Sequence, residues 1–246
     1  MLTDVELKII DNEYEKHKHD GLVYYNDELV TIYNGDCRDI LSVLPDKSID
    51  LILTDPPFFM PAVHYQSRVN WQRTWGDTSI LATFWDVILE KSIPKLKETG
   101  HFITFCNHES YPVFYPCMYR YFDYMKSIVW DKKKVGLGRT WRNQHELIIA
   151  ARWHKAIFNN DGKLRADVLS YEATRSQNRE HPVEKPTPLL ADLIEPTTHK
   201  GGIVLDLFMG SGTTLLAAKN LGRKAIGIEI DKHYCEVSSQ RMRQLL

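Results

Sequence analysis

The sequence of 246 residues has only four cysteines, Cys37, Cys106, Cys117 and Cys235. They are scattered with no C-x-x-C spacing, which argues against a zinc knuckle and against a disulfide framework. Reduced thiols in a cytoplasmic protein are the expectation. His64, His101, His108 and His145 show no ligand spacing either, so no metal is expected. No apolar run is long enough to span a membrane, and the first residues carry early acids without an apolar core, so secretion is not expected. Charge of either sign is not in excess. The formal net charge is -1 and the pI about 6.8, so a nucleic-acid partner would have to be met by a local basic patch. No internal repeat or low-complexity linker is present.

What remains is an ordinary globular composition, 43% hydrophobic and 26% charged. It suits a single domain over 1–246, with residues 1–23 as an N-terminal arm. Residues 24–33 read as two strands around an Asn-Asp turn. A short helix at Ile40–Leu44 should end at Pro45. Ile49-Asp50-Leu51-Ile52-Leu53-Thr54 is a continuous apolar run, the pattern of a buried parallel strand. Leu81, Phe84, Trp85, Ile88 and Leu89 recur at helical spacing, with Asp77 or Thr78 as N-cap and Gly100 closing the unit. Strands follow at 102–105, 127–130 and 146–150, and residues 151–180 read as polar and irregular. The C-terminal third predicts a helix over 188–194, a strand over 203–207, a helix over 213–221, a strand over 225–229 and a last helix over 231–245. Strands alternating with helices predict a doubly wound, mostly parallel α/β sheet.

The strongest local signal is Asp206-Leu207-Phe208-Met209-Gly210-Ser211-Gly212-Thr213-Thr214, between a strand and a helix. Glycines there let a ligand approach the backbone, and the helix start offers free N–H groups. Glu229 ends the next strand, where an acid can hold ribose hydroxyls. A bare structural turn is one reading. A nicotinamide enzyme would want a third glycine, and Leu215 stands in its place. An adenosyl cofactor with no pyrophosphate fits best.

Thr54-Asp55-Pro56-Pro57-Phe58 directly follows the buried strand, where residues face the ligand crevice. An exocyclic amine conjugated to a ring is a poor nucleophile. A carboxylate (Asp55) and a carbonyl (Pro56) accepting its two N–H groups would draw its lone pair out of the ring. Pro56 and Pro57 stiffen the turn, and Phe58 offers a face for a flipped base. The alternative is a proline turn with a solvated acid and a core phenylalanine.

Asp55–Phe58 resembles motif IV, and Phe208–Gly212 motif I, of the amino-methyltransferases acting on DNA. Motif IV precedes motif I here, the order of their circularly permuted β group. The resemblance runs over roughly residues 24–240. It takes in Asn34-Gly35-Asp36-Cys37, Trp75-x-Asp77 and His181-Pro182-x-x-Lys185-Pro186. It implies a seven-stranded Rossmann-like methyltransferase sheet, circularly permuted, and S-adenosylmethionine as cofactor. The strands at Val204, Ile226, Thr31 and Leu51 would be its first to fourth. Asp36 and Cys37 would approach the cofactor adenine and Glu229 the ribose. Lys185 would approach the methionine carboxylate, while Asp55, Phe208, Gly210, Ser211, Gly212, Thr213 and Thr214 line the pocket. Many relatives have Tyr where Phe58 stands, a change that keeps the stacking face. An Asp at the start of motif IV is the adenine-N6 pattern, and Ser the usual cytosine-N4 form.

For double-stranded DNA, the segment of about 131–180 is the expected contact. Lys132, Lys133, Lys134, Arg139, Arg142, Arg152 and Lys155 accompany one acid, Glu146, with Trp130, Trp141 and Trp153 interleaved. Arg165, Arg175 and Arg179 follow in a short recognition segment. Such a small surface suggests a short site, loose specificity or a homodimer, as related enzymes often form. A core role for the tryptophans competes with this. Pro116-Cys117 imitates the nucleophilic Pro-Cys of cytosine-C5 enzymes, but its Tyr/Phe-rich helix favours a structural thiol. Cytosine-N4 transfer, transfer to RNA or a protein amide, and a non-catalytic DNA-binding module remain the alternatives.

Overall fold

The computed structural model describes residues 23–57, 78–136, 140–159, 164–173 and 184–244. Nine strands form one sheet: β1 (Val23–Asn26), β2 (Val30–Asn34), β3 (Ile49–Thr54), β4 (Leu96–Cys106), β5 (Tyr124–Asp131), β6 (His145–Arg152), β7 (Val168–Ser170), β8 (Ile203–Asp206) and β9 (Lys224–Glu229). Their order across the sheet is β1-β2-β9-β8-β3-β4-β6-β5-β7. The helices are α1 (Cys37–Ile40), α2 (Thr78–Ser92), α3 (Tyr111–Tyr119), α4 (Thr187–Ile194), α5 (Thr213–Asn220) and α6 (Lys232–Arg243).

The run β2-β9-β8-β3-β4 is parallel throughout, and β6 is the antiparallel insertion between β4 and β5. The strands at Thr31, Ile226, Val204 and Leu51 lie side by side in that order. The sheet carries two strands beyond the expected seven. β1 folds back on β2 through the Asn-Asp turn, and three-residue β7 pairs with β5. β7 lies in the stretch read as irregular, because three residues are too short for a period to register.

Both faces of the sheet are covered, and this explains the continuous apolar strands. In β3, Ile52 packs into the cluster of Leu81, Trp85, Ile88 and Phe114 from α2 and α3. Its neighbours Leu51 and Leu53 pack on the opposite face with Leu189, Leu193, Leu215 and Cys235 from α4, α5 and α6. Each such leucine or isoleucine removed from water contributes about 1.5–3 kcal/mol. Trp85, 0% exposed, stacks on Phe114 at 4.5 Å between ring centroids.

Two expected boundaries differ. Thr78 is the first residue of α2 rather than its cap, and Asp77 lies outside the described residues. Gly100 does not end a helix; it sits within β4. There a β-carbon would meet Leu96 Cγ at 2.8 Å and the Asp50 carbonyl at 3.0 Å, so the glycine answers a close approach of strands.

Candidate active site

The connection leaving β3 crosses to β4 on one side, and the connection leaving β8 crosses to β9 on the other. The crevice between β3 and β8 is therefore the switch point of the sheet, where ligands bind at the carboxyl ends of the strands. Thr54 Oγ1, ending β3, donates to Asp206 Oδ1, ending β8, at 3.0 Å. The Phe208 N–H donates to the same oxygen at 3.1 Å. Burial pushes the Asp206 carboxyl up to about 6, against the hydrogen bonds of Thr214, Phe208 and Thr54.

The glycine turn needs its glycines. Gly210 has φ of 51° and Gly212, the N-cap of α5, has φ of 80°. That left-handed backbone costs other residues a β-carbon clash. The Gly210 N–H donates to Glu229 Oε2 at 3.1 Å, and the Asp231 N–H to Glu229 Oε1 at 2.8 Å. Glu229 is thereby fixed beside the turn, with its carboxyl raised by burial. Ser211, Thr213 and Thr214 are buried beneath the turn, and the half-buried Phe208 ring lies 6.0 Å from Phe84.

Asn34-Gly35-Asp36 reaches the same place from β2. Gly35 N–H and Asn34 Nδ2 both donate to the Glu229 carbonyl at 3.0 Å. Asp36 caps α1 and accepts from Arg38 N and Nε, each at 2.9 Å. Those hydrogen bonds hold its carboxyl below the usual range. Cys37 is buried, its thiol pushed up to about 12 by burial, and it packs in the core cluster of α1 and α2.

Beside β3 the charges form a string. Lys185 Nζ lies 2.5 Å from Asp55 Oδ2 and 3.1 Å from Glu146 Oε2. Lys132 Nζ pairs with Glu146 Oε1. The Lys185 ammonium also lies 4.9 Å from the Phe105 ring centroid and 6.0 Å from that of Trp130, within cation–π range. Lys185 is only 6% exposed. Burial and the Glu146 charge raise the Asp55 carboxyl, and Lys185 opposes them. Among the described residues, Asp55 Oδ1 is buried without a hydrogen-bond partner. Pro56 is buried and Pro57 half-buried; Phe58 lies outside the described residues.

A sequence profile described as DNA methylase, of the N6/N4 methyltransferase type, matches residues 49–240. The chain belongs to this DNA methylase family. The Type II methyltransferase M.HinfI of Haemophilus influenzae is 30% identical over 89% of this chain and 70% of its own length. The crystal structure of an M1.HpyAVI–SAM complex superposes with a TM-score of 0.67, covering 87% of this chain and 99% of that one at 24% identity. The cytosine-N4-specific PvuII DNA methyltransferase superposes with a TM-score of 0.71, covering 90% of this chain and 89% of that one at 18% identity. The chain is an S-adenosylmethionine-dependent DNA amino-methyltransferase. The residues at the switch point fit that cofactor: the Glu229 carboxylate offers acceptors of the kind a ribose diol needs, and the Gly210–Gly212 turn brings bare backbone beside it. Among the described residues no group of three metal-binding side chains occurs, and no helix is long and apolar enough to cross a membrane.

Several sequence expectations are redrawn by the topology. Lys185, expected at the methionine carboxylate, lies against Asp55 and Glu146. Lys132 does not face outward for a phosphate; its ammonium is tied to Glu146 and lies 5.1 Å from the Trp130 ring. Lys133, Lys134 and Arg142 are exposed on the β5–β6 hairpin, while Arg139, Arg175 and Arg179 lie outside the described residues. Because β6 runs antiparallel, Arg152 and Lys155 emerge at the opposite end of the sheet. There Arg152 covers the Tyr124 ring at 4.6 Å and Lys155 pairs with Glu98. Arg165 pairs with Asp192 and with Glu195. Within the segment 131–180, the described residues include the paired strands β5 and β6 and strand β7. Trp130 and Trp153 serve the core, the latter donating to the Tyr121 carbonyl at 2.7 Å, whereas Trp141 is 99% exposed. Cys117 is half-buried, its thiol raised to about 11, mainly by burial; no attacking thiolate is prepared there.

Asp206 opens the glycine motif and Glu146 is the one acid of the basic segment, but neither was given a role from the sequence, and the Glu184–Arg241 pair was not singled out. Arg241 Nη1 reaches Glu184 Oε1 at 2.9 Å and Thr213 Oγ1 at 3.2 Å, lashing the segment before α4 to the start of α5. The signal for Glu146 was its place at the start of an otherwise apolar strand. In an antiparallel strand that start lies among the carboxyl ends of the parallel ones.

Proposed function

We propose that this enzyme methylates the exocyclic N6 of adenine in double-stranded DNA, with Asp55 and the Pro56 carbonyl as acceptors for the amine. The observation that carries the reading is the division of labour within Asp55. Oδ2 is occupied by Lys185, and Oδ1 is buried with no partner among the described residues. A buried acceptor lacking a donor costs about 1–3 kcal/mol, a cost that an amine N–H would offset. S-adenosylmethionine supplies the electrophilic methyl group. Asp55 and Pro56 orient the amine and restore its lone pair, and proximity supplies much of the rate.

A buried carboxylate cannot reach an amine inside a duplex, so the base must leave the stack. Phe58 is the aromatic residue next to Pro57 and is assigned to stack on it. Glu229, Asp36 and the Phe208–Thr214 turn are assigned to the cofactor. The exposed Lys133, Lys134 and Arg142 are assigned to the DNA backbone, with Arg139, Arg175 and Arg179 as further contacts. The whole works as one catalytic domain in the cytoplasm, where its DNA lies.

The test is incubation of the purified protein with unmethylated genomic DNA and isotope-labelled S-adenosylmethionine, followed by nucleoside mass spectrometry. Labelled N6-methyladenine is expected. Labelled N4-methylcytosine would keep the site chemistry and overturn the base. Label in neither nucleoside, with cofactor binding intact, would overturn the reading.

A further inference from the structure

We propose that Glu146 is a positioning residue for methyl transfer, acting on Asp55 through the Lys185 ammonium that the two carboxylates share, with Lys132 as the outer end of the same device. The proposal rests on the reading of Asp55 as the amine acceptor. Four charged groups from four separate segments converge here: Asp55 after β3, Lys185 before α4, Glu146 at the start of β6 and Lys132 at the end of β5. Their formal charges alternate and cancel. A lysine facing Asp55 alone would be free to swing with it. Facing Glu146 as well, at 3.1 Å, and lying beside the Phe105 and Trp130 rings, its nitrogen is held from several sides. Asp55 Oδ2 is then fixed, and the direction of Oδ1 follows from the rigid carboxyl group.

The same arrangement sets how strongly Asp55 accepts. Lys185 divides its charge between two acids, so Asp55 is less neutralised than in a lone ion pair. Lys132 in turn compensates Glu146, and without it the second acid would repel Asp55 in full. Among the described residues, the other titratable groups facing this cluster are Cys106, ending β4, and Asp206, ending β8. Asp55 and Glu146 both act on Cys106, and Asp55 acts on Asp206. Burial opposes dissociation of both; the Cys106 thiol stays protonated, whereas Asp206, at about 6, adds a further negative charge beside Asp55 above that pH.

The experiment is the single-turnover rate of methyl transfer to unmethylated genomic DNA as a function of pH. It is run on the full chain beside cofactor binding by calorimetry and thermal unfolding. Glu146→Gln keeps the shape and removes the charge. Its rate should fall by about 100-fold, the scale of a small misplacement at a reacting centre, with cofactor affinity unchanged. Its acid limb should move to lower pH, because the repulsion that raises Asp55 is gone. Lys132→Gln should move the acid limb the other way, since Lys132 lowers Asp55. Glu146→Asp, which restores charge at shorter reach, should recover part of the loss. A residue with only a structural role would shift melting and leave both limbs in place; unchanged limbs in both variants overturn the proposal. If Glu146→Gln does not fold, the Lys132→Gln shift alone decides. Should Asp55→Ala retain turnover, the underlying assignment of Asp55 fails instead, a result separable from any outcome at Glu146.

Discussion

A β-carbon added at Gly212 would lie 2.0 Å from Ser238 Oγ, on helix α6. Helix α6 therefore closes directly over the cap of α5, and the contact has no slack. Gly212→Ala meets this clash and a φ of 80° together. The strained backbone alone costs about 1–2 kcal/mol. The variant should lose at least that in urea unfolding, and its cofactor affinity should drop. Ser238→Ala should be neutral or mildly stabilising, because its buried hydroxyl has no hydrogen-bond partner among the described residues. In the double variant Gly212→Ala/Ser238→Gly the clash is relieved and the backbone strain stays, so recovery should be partial. Full recovery would mean that the left-handed turn is not required.

Asp55→Ala should leave cofactor binding near its original strength and reduce turnover by about 100-fold or more. The paired measurements are calorimetric titration with S-adenosylmethionine and a single-turnover rate. Equal losses in both would place Asp55 in cofactor binding rather than at the amine.

Asp206 gives a stability signature of its own. Its carboxyl is raised from 3.8 to about 6 in the folded protein, so the folded state holds the proton more tightly than the unfolded one. That contribution is fully present below pH about 4 and is lost as pH rises through about 6, a change on the order of 3 kcal/mol. Asp206→Asn abolishes the titration. The stability of the original chain relative to this variant should therefore fall between pH 4 and 6 and level off above. Urea unfolding across that range measures it, and a flat difference would contradict the account.

The basic residues separate by topology, and salt dependence can tell them apart. Lys133→Ala, Lys134→Ala and Arg142→Ala should each lower the slope of log affinity for duplex DNA against log salt by about one. They should leave the single-turnover rate at saturating DNA nearly unchanged. Lys155→Ala, at the far end of the sheet beside Glu98, should leave the slope as it was. A slope change at Lys155 would place DNA on a different face.

The parallel core and its motifs were legible because they are local. Asp55-Pro56-Pro57 and Gly210-Ser211-Gly212 each sit on a strand end that the apolar pattern marks. Glu146, Lys132 and Arg152 were not legible, since their roles depend on which way β6 runs. One antiparallel strand sends Glu146 to the crevice and Arg152 away from it, and nothing in the charge count distinguishes them. Gly100 was misread for a related reason: its neighbours Leu96 and Asp50 meet it through strand packing and not through the adjoining helix. Gly227 is similar. A β-carbon there would stand 2.4 Å from Met209 Sδ, a constraint set by a turn on the neighbouring strand.

Thr54 and Asp206 share a hydrogen bond although 152 residues separate them. The strand bearing the catalytic motif is thus synthesised long before the strand it must lie beside. Until β8 arrives, one edge of β3 is bare, and no nascent intermediate can hold both halves of the pocket. Pairings between such distant segments are reached slowly, because the intervening loop must be closed before any contact rewards it. A newly made chain should therefore gain secondary structure early and methylating competence late, in one final step. Conditions that slow that last docking should favour aggregation through the exposed edge of β3.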